Sequence, residues 1–272
     1  MVLDNSLPCS DRIDFDAFPV ADAFVLSLSA LLWLVLFEGW LPGLGPAPAG
    51  LEAPMRAPGV PEALATANGL TGLVAYLLMW GTMMLAMMLP SLVPVVRRHR
   101  DELCDSPSVF LPSIAAFLGA YGLVWTLVGA VPLAVEYLLS IRGLLTASVL
   151  GVDASVVGIG GSLAFAGGYQ FTSLKRDLLA RCGCRQSAPH RPELARMARD
   201  GVRYAVNCIG CTWPLFALMV VLGTMNPLVM VGLTLVVSLE RLAPDGDDVA
   251  VALGVVLLGA AAFTLLFGVP AL

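Results

Sequence analysis

MWGTMMLAMMLPS, residues 79–91, puts five methionines into ten positions: Met79, Met83, Met84, Met87 and Met88. The whole chain holds eleven. The run carries no charge and lies inside an apolar stretch, 70–96, longer than the roughly 20 residues that cross a bilayer. Spaced four apart, Met79, Met83 and Met87 share one helical stripe. Met84 and Met88 form the stripe beside it. Pro90 predicts a kink and frees a backbone carbonyl that something must satisfy, with Ser91 and a neighbouring helix as candidates.

The composition extends this reading to the whole chain. Of 272 residues, 58% are hydrophobic and 13% charged. Soluble domains run nearer half apolar and a quarter charged. The expected fold is all-α, a polytopic transmembrane helical bundle in the cell membrane. Seven apolar segments stand out, near 21–40, 70–96, 109–139, 153–174, 204–224, 226–240 and 249–270. A barrel would need alternating ten-residue segments, which are absent. The polar, acidic N-terminus, residues 1–20, reads as a cytoplasmic tail rather than a cleavable signal peptide. The transmembrane domain takes up 21–272.

Orientation follows from Arg and Lys. With the N-terminus inside, Arg12, Arg97, Arg98, Arg100, Lys175, Arg176, Arg181, Arg185, Arg191, Arg196, Arg199, Arg203 and Arg241 fall on the cytoplasmic side. Only Arg56 and Arg142 fall outside. The expectation is about seven spans, N-in and C-out. Residues 41–69 become a Pro- and Gly-rich external loop with a short helix near 61–67. Residues 175–203 become a basic cytoplasmic loop with an interfacial helix near 192–203. No basic stripe with interleaved aromatics points to nucleic acid.

Six cysteines, Cys9, Cys104, Cys182, Cys184, Cys208 and Cys211, all fall on the inner side of this topology. Reduced thiols there suit metal binding or redox exchange better than a disulfide framework. NCIGCTWP, residues 207–214, is the sharpest motif. Cys208 and Cys211, three apart, face one side of a helix and suit one soft metal ion. Thiolate and thioether sulfur prefer Cu(I) to hard ions. Met83, Met84, Met87 and Met88 then become thioether ligands or a relay. Cys182 and Cys184 become an exchange point at the cytosolic face. Packing is the bland alternative for the methionines. Cysteine also serves as a small hydrophobe at helix contacts. His99 and His190 read as solvated loop residues, and Glu240 with Arg241 as an interfacial pair.

Five blocks in order, MWGTMMLAMMLPS at 79–91, GGYQFTSLKRDLLARC at 167–182, NCIGCTW at 207–213, GTMNPLVM at 223–230 and Glu240-Arg241, resemble a prokaryotic family. That family is known as predicted metal-binding integral membrane proteins, a domain of unknown function associated with copper. The resemblance covers about residues 70–260 and implies a membrane metal site. Two positions depart from it. Leu178 stands where the family usually has Cys, and Thr212 where it often has a second Cys.

The leading expectation is a membrane protein binding Cu(I) for copper transport, delivery or homeostasis. Its partners would be the lipid bilayer and a metallochaperone or cuproenzyme. One alternative is a membrane thiol–disulfide oxidoreductase using Cys208 and Cys211. The other is a non-catalytic partner subunit whose sulfurs only pack. No catalytic residue set is evident.

Overall fold

The computed structural model describes residues 20–268, apart from 50, 52, 103–106, 147, 150, 151, 183–192 and 244. Among the described residues the regular structure is helical save for a two-residue antiparallel pairing of Ser148–Val149 with Val152–Asp153. The first helices are α1 (Val20–Phe37), α2 (Val60–Ala67) and α3 (Gly69–Met88). A 3₁₀ turn, Leu89–Leu92, leads into α4 (Val93–Glu102). Then come α5 (Pro107–Val128), α6 (Ala130–Leu139), α7 (Ile141–Thr146) and α8 (Ala154–Tyr169). The chain ends with α9 (Ser173–Cys182), α10 (Leu194–Leu222), α11 (Pro227–Leu242) and α12 (Gly246–Phe267).

Each of the seven expected apolar segments contains a helix, but the expected count of seven spans is not supported. Among the described residues four stretches are long and apolar enough to cross a membrane: Gly69–His99, Phe110–Leu139, Leu194–Leu222 and Gly246–Phe267. The other three helices, α1, α8 and α11, have 18, 16 and 16 residues. At about 1.5 Å per residue they reach about 24–27 Å, short of the roughly 30 Å hydrocarbon core. The N-in, C-out alternation built on seven spans loses its support with them. The helix expected near 61–67 is α2. The helix expected near 192–203 is the first part of α10, which runs unbroken into the apolar segment that follows. The expected tail lies outside the described residues up to position 19.

Proline and glycine shape the bundle through the carbonyls they free. Pro90 leaves the Ala86 carbonyl without its helical partner, and the Ser29 hydroxyl of α1 donates to it at 2.7 Å. Ser91 donates to the Met88 carbonyl at 2.7 Å. Pro214 frees the Gly210 carbonyl in the same way, and the Tyr169 hydroxyl donates to it at 2.6 Å. At Gly129, between α5 and α6, the Trp80 indole N–H donates to the Trp125 carbonyl at 3.1 Å. The Gly129 N–H turns instead to Thr126, at 3.1 Å. A Cβ at Gly129 would stand 2.7 Å from the Trp80 ring, so a larger residue would push the indole away.

The polar contacts define two ends. At one, Ser91 meets Arg241 and α9 meets both α10 and α11. Arg97 pairs there with Asp22 at the start of α1. At the other, Thr224, Glu62 and Tyr76 join the end of α10, α2 and the start of α3. Between them lies one continuous apolar core that includes Met79, Met83, Met84, Met87, Met88, Met219 and Met230.

Helices α5 and α10 approach closely at Gly201, where a Cβ would overlap the Phe117 carbonyl. Backbone cannot yield as a side chain can. Gly201→Ala should therefore cost about 1–3 kcal/mol by overpacking and lower the thermal midpoint in detergent. Gly119→Ala, which meets nothing within 4 Å, should leave the midpoint unchanged or raise it through helix propensity.

Candidate metal centre

Cys208 and Cys211 sit one turn apart on α10, and both are fully buried. Helical spacing alone places them on a common face. Cys182, the last residue of α9, joins them. The Tyr204 hydroxyl of α10 donates to the Cys182 carbonyl at 2.7 Å and fixes the end of α9 against α10. The Cys182 and Cys211 sulfurs then stand 3.9 Å apart. Cys208 is buried in the same core cluster. The Cys211 thiol has a further partner in the Cys208 carbonyl, at 3.3 Å.

Charged groups from α9 itself and from α11 surround the thiols. Arg241, near the end of α11, is 4% exposed, so its guanidinium is a buried cation. One Nη donates to Ser91 Oγ at 3.0 Å, and the other to Cys211 Sγ at 3.5 Å. Lys175 of α9 is 0% exposed. Its Nζ donates to Glu240 Oε2 at 2.7 Å and to the Cys211 carbonyl at 2.9 Å. Arg241 makes no ion pair among the described residues, and its Nε has no partner. The charges of Lys175 and Glu240 cancel, and Arg241 leaves one positive charge beside three thiols. That balance suits a site holding one net negative charge.

Two expectations are corrected here. Glu240 and Arg241 do not form a pair at a helix end. Glu240 pairs with Lys175, and Arg241 turns to Ser91 and Cys211. His99 is not a solvated loop residue. It is buried near the end of α4, with Nδ1 2.8 Å from the Val95 carbonyl and its ring 5.1 Å from that of Phe117. Cys184, Cys9, Cys104 and His190 lie outside the described residues.

Met83, Met84, Met87 and Met88 are all buried in the core that also holds the three cysteines. Their polar link to the thiols runs from the Met88 carbonyl through Ser91 and Arg241 to Cys211. The two departures from the resembled family also have structural consequences. Leu178 lies against Gly210 inside the CxxC turn, where a Cβ at 210 would stand 2.9 Å from its methyl. The Thr212 hydroxyl donates to the Cys208 carbonyl at 2.6 Å, a backbone role that a thiol fills poorly.

As the side chains stand, no group of three or more His, Cys, Asp and Glu among the described residues is arranged to hold a metal ion. A low-coordinate soft ion needs only a pair of sulfurs. Two sulfurs each about 2.3 Å from one ion stand at most about 4.6 Å apart. The 3.9 Å between Cys182 and Cys211 falls within that limit. The donor set therefore fits Cu(I), for which thiolate and thioether are the preferred ligands.

Fold and site together define a helical bundle of membrane-length helices with a buried thiol cluster. A family model described as "PpoB2: Copper chaperone" matches residues 77–264, which contain the methionine run, all three clustered cysteines and Arg241. The chain belongs to that copper-associated family. No curated protein and no solved structure matches it.

The Lys175–Glu240 pair is buried on both sides, so removing one partner strands the other. Lys175→Met should lower stability by about 3–5 kcal/mol, seen as a large drop in thermal midpoint. Lys175→Met combined with Glu240→Leu should recover most of it. A double variant no better than the single one would show that Lys175 acts through its bond to the Cys211 carbonyl instead.

Proposed function

We propose that the protein is an integral membrane protein that binds Cu(I) at Cys182, Cys208 and Cys211 and passes it on. The observation that supports this best is the buried guanidinium of Arg241 on Cys211 Sγ, beside a second sulfur 3.9 Å away. Two thiolates and one Cu(I) carry a net charge of −1. Arg241 offsets it, and buried charges persist only when compensated in this way. Copper is the cargo. The protein supplies the ligands, excludes water and balances the charge.

In this reading the four membrane-length helices span the bilayer, and the shorter α1, α8 and α11 pack against them to complete a bundle of about seven segments. The Arg-rich end, with Arg97, Arg98, Arg176, Arg196, Arg199 and Arg203, faces the cytoplasm by the positive-inside rule. Cu(I) arrives there from a metallochaperone, with Cys184 as an exchange ligand. The thioethers of Met83, Met84, Met87 and Met88 carry it inward, and a cuproenzyme receives it. Thioether binds Cu(I) without adding charge, so a methionine column lets the ion move where a row of thiolates would trap it.

The purified full-length protein, loaded with Cu(I) without oxygen and washed with a strong Cu(I) chelator, tests this. Mass spectrometry should find about one tightly held copper per chain, one site being the prediction of the thiol cluster. Cys208→Ser with Cys211→Ser should lose it. Equal copper in both proteins would contradict the reading. A Cys208–Cys211 or Cys182–Cys211 disulfide that forms and reverses without metal would favour the oxidoreductase alternative.

A further inference from the structure

The end of the core opposite the thiols holds a carboxyl group that the proposed function does not use. Glu62 of α2 is 0% exposed. Its Oε1 accepts from the Tyr76 hydroxyl at 2.7 Å and the Thr224 hydroxyl at 2.6 Å. Its Oε2 has no partner, and Glu62 makes no ion pair among the described residues. Helix α2 packs on α3 and α6. The titratable group from α3 is Tyr76 itself. The one from α6 is Glu136, a second carboxyl, whose Oε2 accepts the Ile141 N–H at 2.7 Å. The cations of this region are Arg56, which is exposed, and Arg142, whose backbone borders Gly59.

The uneven use of the two oxygens suits a neutral acid. An ionised carboxylate presents lone pairs on both oxygens and draws donors to both. A neutral carboxyl presents a carbonyl oxygen, which takes two donors, and an O–H, which needs none. Glu62 has two donors on Oε1 and none on Oε2. A buried O–H without an acceptor costs far less than a buried charge without a counter-ion. Burial accordingly pushes the Glu62 carboxyl above its ordinary value. The bonds from Thr224 and Tyr76 oppose that rise, and the Glu136 carboxylate adds to it.

We propose that Glu62 Oε2 is a proton-binding site, and that its proton keeps α2 docked on α3 and on the end of α10. The bonds from Tyr76 and Thr224 both end on this one carboxyl. Helix α2 has only eight residues and lies between Gly59 and Gly69, whose φ angles are 74° and 58°. Both of its ends thus turn at left-handed residues that glycine adopts freely. Loss of the proton to water breaks only the O–H bond. It leaves an anion with a bare oxygen in an apolar core, next to a second carboxyl. Hydration of that anion draws α2 away from the core, and reprotonation returns it. The fold favours the neutral form, so the latch is complete below the ordinary carboxyl value. It is lost as pH rises through the raised one. The device needs no copper and lies apart from the thiol cluster.

The test uses the full-length protein in detergent without copper, so the thiol reading does not enter it. Infrared spectra across pH should show the C=O stretch of a neutral carboxylic acid that outlasts the ordinary Glu range. Glu62→Gln, which keeps the oxygen that Tyr76 and Thr224 bind, should lack that band. Glu136→Gln, which leaves Glu62 in place, should keep it. Hydrogen exchange at the α2 amides, corrected for its intrinsic pH dependence, reads the docking. In the wild type it should quicken about tenfold per pH unit above the midpoint of the band, the slope set by one proton. In Glu62→Gln that rise should be absent. A wild type without the band, or a band unchanged in Glu62→Gln, would overturn the proposal. A band lost in Glu136→Gln alone would overturn it by placing the proton on the other carboxyl. Exchange in α2 that ignores the loss of the band would overturn the docking role. Protection of α2 by Na⁺ or Mg²⁺ in a wild type without the band would put a hard cation at Oε2 in place of the proton.

Discussion

The guanidinium of Arg241 is the contact on which the site depends. One Nη holds Ser91, at the kink that ends the methionine run, and the other holds Cys211 in the CxxC turn. Three elements distant in sequence meet at one side chain. A buried cation without an anionic partner would be a liability in any apolar core. It makes physical sense where an anion is to be assembled from thiolates. Lys175 and Glu240 support the arrangement. They cancel each other's charge, and Lys175 takes the Cys211 carbonyl near the place where Pro214 weakens the helical ladder.

The same logic governs both proline-bearing helices. Each proline removes an N–H and leaves a carbonyl in need of a donor. Each carbonyl is met by a hydroxyl from another helix, Ser29 on Ala86 and Tyr169 on Gly210. In an apolar surrounding such bonds tie helices together where side-chain burial discriminates little between neighbours. The two proline sites thus join the methionine run to α1 and the CxxC turn to α8. The sulfur-bearing segments gain fixed positions without charged groups of their own.

Much of this was legible in the chain. The apolar runs located the helices, the CxxC spacing put two thiols on one face, and Pro90 announced a carbonyl that Ser91 and a neighbouring helix would have to serve. What the chain concealed were pairings across long separations. Lys175 sits among Arg residues in a polar stretch and reads as one more solvated charge. Its partner is 65 positions away. Glu240 and Arg241 are adjacent and invite pairing with each other, yet successive residues on a helix point in different directions. Glu62 sits in a Pro- and Gly-rich stretch that reads as an external loop with a short helix. Its bonds to Tyr76 and to Thr224, 162 positions away, show that it belongs to the core. The count of seven spans lacks support for a related reason. Apolar content marks a buried helix as well as a membrane-crossing one, and α1, α8 and α11 are too short to tell apart by hydrophobicity.

The central claim is that sulfurs from α9 and α10 converge on one soft ion beside Arg241. X-ray absorption at the copper edge, on protein carrying one tightly held Cu(I), tests it most directly. The account predicts a first shell of sulfur alone, at about 2.3 Å, which collapses when Cys182 and Cys211 are both replaced by Ser. A shell of nitrogen or oxygen, or a sulfur shell indifferent to those replacements, would contradict it.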